Sequence, residues 1–257
     1  RASRGLDSSP GLAGIRTKEE HKRSSRVAAG LSLVAGGGSR TAAKRAQHAG
    51  LAEPFSLPQP LRPTLCELFA AVPRDGGWTG FLLPQLEPGR PLLWVQDRMA
   101  IRESGRVYPA GIGTGDLIHV EARDARDALW AMEEGLRCAA LSAVIGELWG
   151  DPAALDFTAT RRLAVAAERS GVPCWLVRLG GTANLSGARM RWRIASLPSL
   201  PHPLDPKAPG SPAWDADLFR ARGFAPGRWS AAHDQDRFHR LAVPGDRALA
   251  QGERSAA

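Results

Sequence analysis

Apolar residues along this chain occur mainly in short continuous runs. The runs are Leu65–Val72, Leu92–Gln96, Leu117–Glu121, Leu141–Ile145 and Cys174–Leu179. Continuous apolar runs of this length are typical of strands that are buried on both faces, as in a parallel sheet. They recur about every 25 to 33 residues, which matches the length of a strand–helix–strand unit. The pattern therefore predicts an α/β fold with a mainly parallel sheet flanked by helices.

Segments with helical spacing lie between some of these runs. After Asp124, a candidate N-cap, apolar residues recur from Ala125 to Leu136 at the spacing of one helical face. Residues Thr158–Ser170 form a second such segment, and Gly171 follows it as a stop signal. Both segments are predicted to be helices that connect strands of the sheet.

The last third of the chain has a different pattern. Residues Arg189–Ala195 alternate strictly between arginine and apolar side chains, apart from the final alanine. A period of two predicts a half-buried strand with its arginines facing solvent. Six prolines lie within residues 197–212, which indicates a linker or a long exposed loop. The residues after them predict a strand-rich C-terminal tail.

Basic residues are concentrated at the start of the chain. Of the net charge of +8, the first 50 residues carry +7, because they hold ten Lys or Arg and three Asp or Glu. The nearly neutral remainder is weak ground for assigning nucleic-acid binding to the folded part. Composition predicts a disordered basic arm over 1–58, a core over 59–197, a linker over 198–213 and a tail over 214–257. The arm is therefore a candidate for contact with DNA.

The chain contains three widely spaced cysteines and no long apolar segment. Cys66, Cys138 and Cys174 form no C-x-x-C pair, which favours buried free thiols in a reducing cytoplasm over a disulfide framework or zinc site. Since no run of about 18 apolar residues exists, we expect no membrane span. The chain starts at Arg1 and its first methionine is Met99, which leaves open a fragment or a start site placed too far upstream. We expect a cytoplasmic protein.

The turn after the first core strand is the place where a phosphate-binding loop would lie. Residues Pro73–Thr79 read PRDGGWT, and Gly76 and Gly77 suit a tight turn. The motif G-x-x-x-x-G-K-[ST] needs a lysine that reaches the phosphates, and none follows here. A plain turn between strand and helix is therefore the favoured interpretation. We expect no cofactor and no metal ion.

Two further features are candidates for chemistry. Glu147 follows a predicted buried strand, where nucleotide hydrolases hold magnesium, although capping residues 150–152 or pairing with an arginine is the favoured explanation. The arginines of the alternating strand are spaced to meet phosphates or an acidic partner, and the alternative is an edge strand protected by charge. Tryptophans in the last third suit an interface. The residues predicted for docking to a partner or DNA are Arg189, Arg191, Trp192, Arg193, Trp214, Phe219 and Trp229.

Four segments resemble the ImuA family: Leu92–Arg98, Glu103–Ala110, Leu117–Cys138 and Ala143–Arg162. The likeness spans about residues 62–195, and its more specific parts read DALWAMEE and GELWGDP. ImuA proteins are bacterial RecA-like accessory proteins of damage-induced mutagenesis. They are usually encoded with ImuB, a polymerase homologue, and an error-prone replicative-type polymerase. The resemblance implies a RecA-like core that is also related to the cell-division inhibitor SulA.

The resemblance to RecA also implies which residues remain from a nucleotide site. RecA's phosphate loop corresponds to Pro73–Thr79, and its catalytic glutamate corresponds to Arg98, with Asp97 beside it. The strand that carries RecA's magnesium-binding aspartate corresponds to Leu141–Ile145. The implied remnants of the nucleotide site are Gly76, Gly77, Asp97 and Glu147.

The resemblance therefore implies a non-catalytic accessory factor of translesion DNA synthesis in the SOS response. It implies docking to RecA and to an ImuB-like protein, with an indirect link to the error-prone polymerase. Two alternatives remain open at this point. One is a divergent RecA-like ATPase that uses Asp97 or Glu147, and the other is a cell-division inhibitor of the SulA type.

Overall fold

The computed structural model describes residues 51–112, 116–205, 207–234 and 237–241. Its strands are β1 Leu51–Pro54, β2 Leu65–Ala70, β3 Leu92–Asp97, β4 Leu117–Ala122, β5 Ala143–Trp149, β6 Cys174–Leu179, β7 Met190–Leu197, β8 Ala213–Ala221, β9 Gly227–Asp234 and β10 Arg237–Leu241. Its helices are α1 Trp78–Leu82, α2 Arg98–Ser104, α3 Pro109–Ile112, α4 Ala125–Gly135 and α5 Phe157–Ser170, and a 3₁₀ turn covers Leu83–Gln85.

The described strands form one mixed sheet in the order β1-β10-β9-β8-β7-β2-β6-β5-β3-β4. Neighbouring strands from β7 to β4 run parallel, and this half contains the strands predicted from the apolar runs. Neighbouring strands from β1 to β7 run antiparallel. The predicted α/β fold, with a RecA-like parallel core and a strand-rich C-terminal part, is confirmed.

Helices cover both faces of the parallel half, which explains why its central strands are mostly apolar. On one face, α1 and α2 pack over a core that includes Trp94 and Trp192. On the other face, α4 and α5 pack over a core that includes Val144 and Leu176. Every residue of β6 is buried as a result.

The local signals that predicted α4 and α5 are present as hydrogen bonds. Asp124 is the N-cap of α4, and its side chain accepts a bond from the Asp127 amide at 3.0 Å. Asp156 caps α5 in the same way, accepting from the Ala159 amide at 2.7 Å. Gly171 ends α5 in the left-handed region with φ of 73°, a conformation that glycine adopts without steric cost.

The position of β5 corrects the sequence-based boundary. The predicted strand Leu141–Ile145 starts and ends too early, because the observed strand is Ala143–Trp149. Its pairing with β6 continues to its last residue. Glu147 therefore lies inside a buried strand and not after it. A carboxylate interrupts the apolar pattern, so the pattern alone could not carry the strand past it.

The C-terminal strands extend the core sheet directly. Strand β8 pairs with the full length of β7, from Leu197 opposite Ala213 to Met190 opposite Ala221. The proline-rich segment between them is a loop that contains one isolated bridge between Pro201 and Pro209. Strand β1 pairs with β10, so residues 51–54 belong to the sheet. Residues 1–50 lie outside the described residues, and the division into four regions stays a prediction.

The cysteines occupy two kinds of environment. Cys66 and Cys174 are buried free thiols, as expected, and burial raises the pKa of Cys66 to about 12. Cys138 is exposed, so the expectation of burial is wrong for this residue; it lies in the turn after α4. In the described part of the chain, no helix has the length and apolar character needed to cross a membrane.

Candidate functional site at the ends of the parallel strands

A cleft of about 240 Å³ opens where β2, β3 and β5 end. Open α/β sheets bind ligands at this edge. The residues that line the cleft are Gly76, Trp78, Thr79, Trp94, Gln96, Ser104, Gly105, Arg106, Val107, Tyr108, Gly111, Ile112 and Glu147. Two of the predicted remnants, Gly76 and Glu147, thus meet in one cleft. Gly77 and Asp97 are absent from its lining.

The turn after β2 is held against β7 and β8. The Asp75 carboxylate accepts bonds from the Gly77 amide at 2.9 Å and from the amide and hydroxyl of Ser196 at 2.8 and 2.6 Å. Partial burial acts to raise the pKa of Asp75, but these bonds lower it. The Gly77 carbonyl accepts a bond from the Trp214 indole at 2.7 Å. A Cβ on Gly77 would lie 1.9 Å from the Ser196 hydroxyl, so glycine is required here for packing.

Trp78 stands directly after Gly77, at the start of α1. Its side chain is 4% exposed and packs on Trp94, with ring centroids 5.8 Å apart. The turn after β2 therefore leads directly into a buried apolar ring.

Glu147 is the buried carboxyl group of the cleft, with 4% exposure. Its Oε1 accepts a bond from the Trp94 indole at 2.5 Å, and its Oε2 accepts one from the Gln96 amide at 3.2 Å. Burial raises the pKa of Glu147 to about 7, although both hydrogen bonds act to lower it. The sequence-based explanation of Glu147 as an arginine partner or a loop cap is wrong, because its partners are an indole and an amide.

Gln96 connects Glu147 to the wall of the cleft. Its Nε2 also donates to the Gly105 carbonyl at 3.0 Å, and its Oε1 accepts from the Val107 amide at 3.0 Å. The same Oε1 lies 3.0 Å from Nε2 of His119. An amide oxygen can only accept, so His119 donates from Nε2. Partial burial, followed by the charge of Arg106, lowers the pKa of His119, which keeps the ring neutral at pH 7.

Asp97 has a local structural role at the start of α2. It is the N-cap residue, and its Oδ1 accepts a bond from the Ala100 amide at 2.6 Å. Burial raises the pKa of this carboxyl group, against the effect of the capping bond. Arg98, which follows it, is exposed. Neither Asp97 nor Arg98 lines the cleft.

The cleft is therefore weakly charged. Its lining includes two indoles, an amide and a carboxyl group whose pKa burial raises to about 7. Among the described residues of its lining, Arg106 is the cation, and it pairs with Glu121 at 2.5 Å. A triphosphate in the cleft would have to compete with Glu121 for Arg106.

A second cluster of charged residues is buried on the face of the sheet that carries α5. Glu67 on β2 is fully buried, and its Oε2 accepts a bond from Nε of Arg191 at 2.6 Å. Its Oε1 accepts from the Ser186 hydroxyl at 2.9 Å and lies 3.9 Å from Nη1 of Arg178. Arg178 also pairs with Asp151. Burial lowers the pKa of Arg178, while Glu67 and Asp151 act to raise it.

Phenylalanine rings separate the arginines of this face. The guanidinium carbons of Arg178 and Arg191 lie 5.4 and 5.3 Å from the centroid of Phe69. Arg191 and Arg193 lie 5.3 and 5.0 Å from the centroid of Phe219. Cation–π contacts of this kind stabilise partly desolvated guanidinium groups, so the ring stack and Glu67 together explain how two arginines are buried.

Three predicted docking residues belong to the interior. Arg191, Trp192 and Trp214 are 3, 1 and 2% exposed. A residue that binds a partner must reach the surface, so the predicted docking role of these three is corrected to a role in the core. The two tryptophans pack against Phe81 of α1, and Arg191 lies against the rings of Phe69 and Phe219.

The other four predicted docking residues are accessible. Arg193 is exposed, and Arg189, Phe219 and Trp229 are half-buried. Each of the two arginines pairs with a carboxylate, at 2.7 Å for Arg189 and 3.2 Å for Arg193. Their part in docking stays a prediction.

Sequence reasoning missed two residues that organise these sites. Glu67 is a charged residue inside the apolar run LCELFA, and a carboxylate in a strand buried on both faces signals a buried cation. Trp78 was visible as the residue after Gly77, but only the packing on Trp94 establishes that it is buried. No neighbouring residue in the sequence indicated that Glu67 pairs with Arg191 or that Trp78 packs on Trp94.

Comparison with known proteins gives two relatives. Protein ImuA of Caulobacter vibrioides (strain NA1000 / CB15N) is 32% identical over an alignment of 180 residues that covers 64% of this chain and 71% of the relative. Protein ImuA of Caulobacter vibrioides (strain ATCC 19089 / CIP 103742 / CB 15) matches with the same identity and coverage. No protein-family model matches the chain. On the resemblance of its sequence, its α/β fold and this alignment, the chain belongs to the ImuA family.

Proposed function

We propose that this chain is a non-catalytic accessory factor of damage-induced mutagenesis that acts in translesion DNA synthesis during the SOS response. It docks to RecA and to an ImuB-like polymerase homologue in the cytoplasm. Through these partners it is linked to an error-prone replicative-type polymerase. Membership of the ImuA family supports the assignment to mutagenesis, and the chemistry of the cleft supports an adaptor over an enzyme.

The observation that carries the non-catalytic assignment is Trp78. It directly follows Gly77 in the turn after β2 and is buried against Trp94. Phosphoryl transfer depends on positioned cations that neutralise the charge developing on the phosphates. An indole at this position supplies no such charge and occupies the space with an apolar ring.

The carboxyl groups of the site support the same proposal. Glu147 is hydrogen-bonded to Trp94 and Gln96, and its pKa near 7 leaves it partly protonated. A magnesium ligand needs an ionised carboxylate with a free oxygen. Asp97 is engaged in capping α2. The alternative of a divergent ATPase therefore has neither a free carboxylate nor a free cation in its favour.

Two binding experiments test the proposal. The full chain is mixed with a fluorescent ATP analogue and magnesium, and separately with RecA filaments on single-stranded DNA or with a purified ImuB-like protein. We expect binding to RecA filaments and ImuB-like protein without nucleotide binding. Magnesium-dependent ATP binding that Glu147→Ala abolishes would replace the adaptor with the ATPase.

Variants of the accessible arginines locate the docking contact. Arg193→Glu is expected to weaken binding to the ImuB-like protein, because it reverses one of the exposed charges of β7. Arg220→Glu on β8 is a matched control, since Arg220 is also exposed but is outside the predicted docking set. Equal binding by both variants would remove β7 from the docking surface.

Two further measurements address the remaining expectations. Deletion of residues 1–50 is expected to abolish binding to single-stranded DNA, because that segment carries +7 of the net charge. DNA binding that survives the deletion would place a nucleic-acid site in the folded part. Inhibition of tubulin-like filament assembly by the purified chain would favour the alternative of a SulA-type division inhibitor.

A further inference from the structure

Trp130 on α4 is the most unusual exposed side chain of the helical face. It is 64% exposed, whereas tryptophan is highly buried on average. Its neighbours on α4 bury their apolar side chains against the sheet, as Leu129 and Met132 do. The helix therefore has enough apolar residues for its own packing, and Trp130 is additional to that need.

Trp130 forms one side of a groove of about 480 Å³ between α4 and the start of α5. The lining contains apolar and polar side chains, and its apolar part, called the floor below, includes Leu129, Leu163 and Ala154. Both leucines are largely buried, with 9 and 1% exposure, while Trp130 stands at the rim. A large apolar ring beside an apolar floor suits the insertion of an apolar side chain.

The groove continues along α5 and is lined by basic residues. A second hollow of about 440 Å³ adjoins it and is lined by Arg161, Arg162 and Arg169. Arg126 lines the first hollow from α4. Arg162 pairs with Glu133 across the groove. Within the described ranges, the other three arginines lie within ion-pair distance of no carboxylate.

We propose that this groove between α4 and α5 binds an acidic amphipathic segment of a partner protein. The apolar side of the segment packs on Trp130 and the floor, and its carboxylates face Arg126, Arg161 and Arg169. This arrangement is the helix-in-groove mode of recognition, with tryptophan and arginine as the residues that contribute most. The inference rests on the proposed adaptor function in one respect, which is the identity of the protein that supplies the segment.

The groove favours a protein segment over a nucleic acid. Glu133 and Asp156 line it beside the arginines. A nucleic acid carries a charge at every phosphate and would face both carboxylates, whereas a peptide can place its own carboxylates opposite the arginines alone. An apolar floor gives no hydrogen bonds to base edges. A peptide with acidic and apolar residues matches both the arginines and the floor, because each kind of lining residue then has a complementary partner.

The test measures fluorescence anisotropy of labelled probes with the full chain. The main probe is a designed peptide of about 18 residues with leucines on one helical face and glutamates elsewhere. Three control probes are a scrambled peptide of equal composition, a version with lysines in place of the glutamates, and single-stranded oligothymidine. The variants are Trp130→Ala and the double change Arg161→Glu with Arg169→Glu.

Control variants are matched for exposure. Leu204→Ala removes another apolar side chain that is 77% exposed, and Arg220→Glu reverses an exposed arginine outside the groove. Because Trp130 is exposed, Trp130→Ala is expected to fold normally. Its unfolding temperature, compared with that of Leu204→Ala, checks this.

We expect the acidic amphipathic peptide to bind at least about tenfold more tightly than the scrambled and lysine-containing peptides. Trp130→Ala and the double arginine change should each weaken it by about tenfold or more, while the control variants bind as the unchanged chain does. Three results would overturn the proposal: no preference for the acidic amphipathic peptide, binding of oligothymidine that requires Trp130, or self-association of the chain that Trp130→Ala abolishes. Each result is independent of whether RecA or ImuB-like protein binds.

Discussion

Removal of the Glu67 carboxylate should destabilise this protein more than removal of any surface carboxylate. Glu67 is fully buried and meets two guanidinium groups that are themselves 1 and 3% exposed. Its bond to Arg191 is 2.6 Å long, and Arg178 lies 3.9 Å from the other oxygen. In Glu67→Ala both cations stay buried while their shared counter-charge is lost. Only Arg178 keeps another carboxylate, Asp151.

The magnitude follows from the burial of the cluster. Breaking a buried ion pair by removing one partner costs about 3–5 kcal/mol, because an uncompensated charge remains in the interior. For a domain of about 150–250 residues, a loss of 1 kcal/mol lowers the unfolding temperature by about 2–4 °C. Glu67→Ala should therefore lower it by about 6–20 °C.

The assay is urea and thermal unfolding at pH 7, followed by tryptophan fluorescence. Asp217→Ala is the matched control, because it breaks the pair with Arg193, whose side chain is 49% exposed; pairs of this kind contribute about 0–1 kcal/mol. A double variant, Glu67→Met with Arg191→Met, should recover part of the loss, since it removes both a charge and its partner. If Glu67→Ala costs no more than Asp217→Ala, the reasoning about a buried counter-charge is refuted.

Three other predictions concern single carboxyl groups, those of Glu147, Asp75 and Asp156. Because the folded-state pKa of Glu147 lies near 7, above its ordinary 4.5, the free energy of unfolding should fall by up to about 3 kcal/mol as the pH rises through this interval. Glu147→Gln should abolish this slope in urea titrations at pH 5 and 8, and an unchanged slope would contradict it. Asp75→Ala should cost about 1–3 kcal/mol by thermal unfolding, since the Gly77 and Ser196 donors lose their acceptor; a loss below that of an exposed control would disprove it. Asp156→Ala should cost about 1 kcal/mol through loss of the α5 cap, and Asp156→Asn should restore most of it.

Local signals predicted the helices because the physics of a helix end is local. Asp124 and Gly171 act on residues within one turn, and a short sequence window contains all the partners involved. The same is true of β6, where the apolar run Cys174–Val177 predicted a strand whose six residues are all buried. The strand β5 was misplaced because Glu147 is satisfied by Trp94, which is 53 positions away in sequence.

The missing phosphate-loop lysine was also a local observation, since the motif is a contiguous string. The burial of Trp78, the residue after Gly77, was not a local observation. Trp78 is informative because it packs on Trp94, and that contact joins α1 to β3. The docking predictions failed for Arg191, Trp192 and Trp214 for a related reason. Alternation identifies two faces of a strand, but it does not say whether one of them faces water.

The sequence by itself determined the parallel strands, the capped helices, the absent lysine and the likeness to the ImuA family, because each depends on residues close together in the chain. Tertiary structure alone decided that Arg191 is buried, since its counter-charge Glu67 lies 124 positions away. It also decided that Trp130 remains at the surface, because α4 completes its packing without it. Burial depends on which distant segments cover a residue, and no short window of sequence contains those segments.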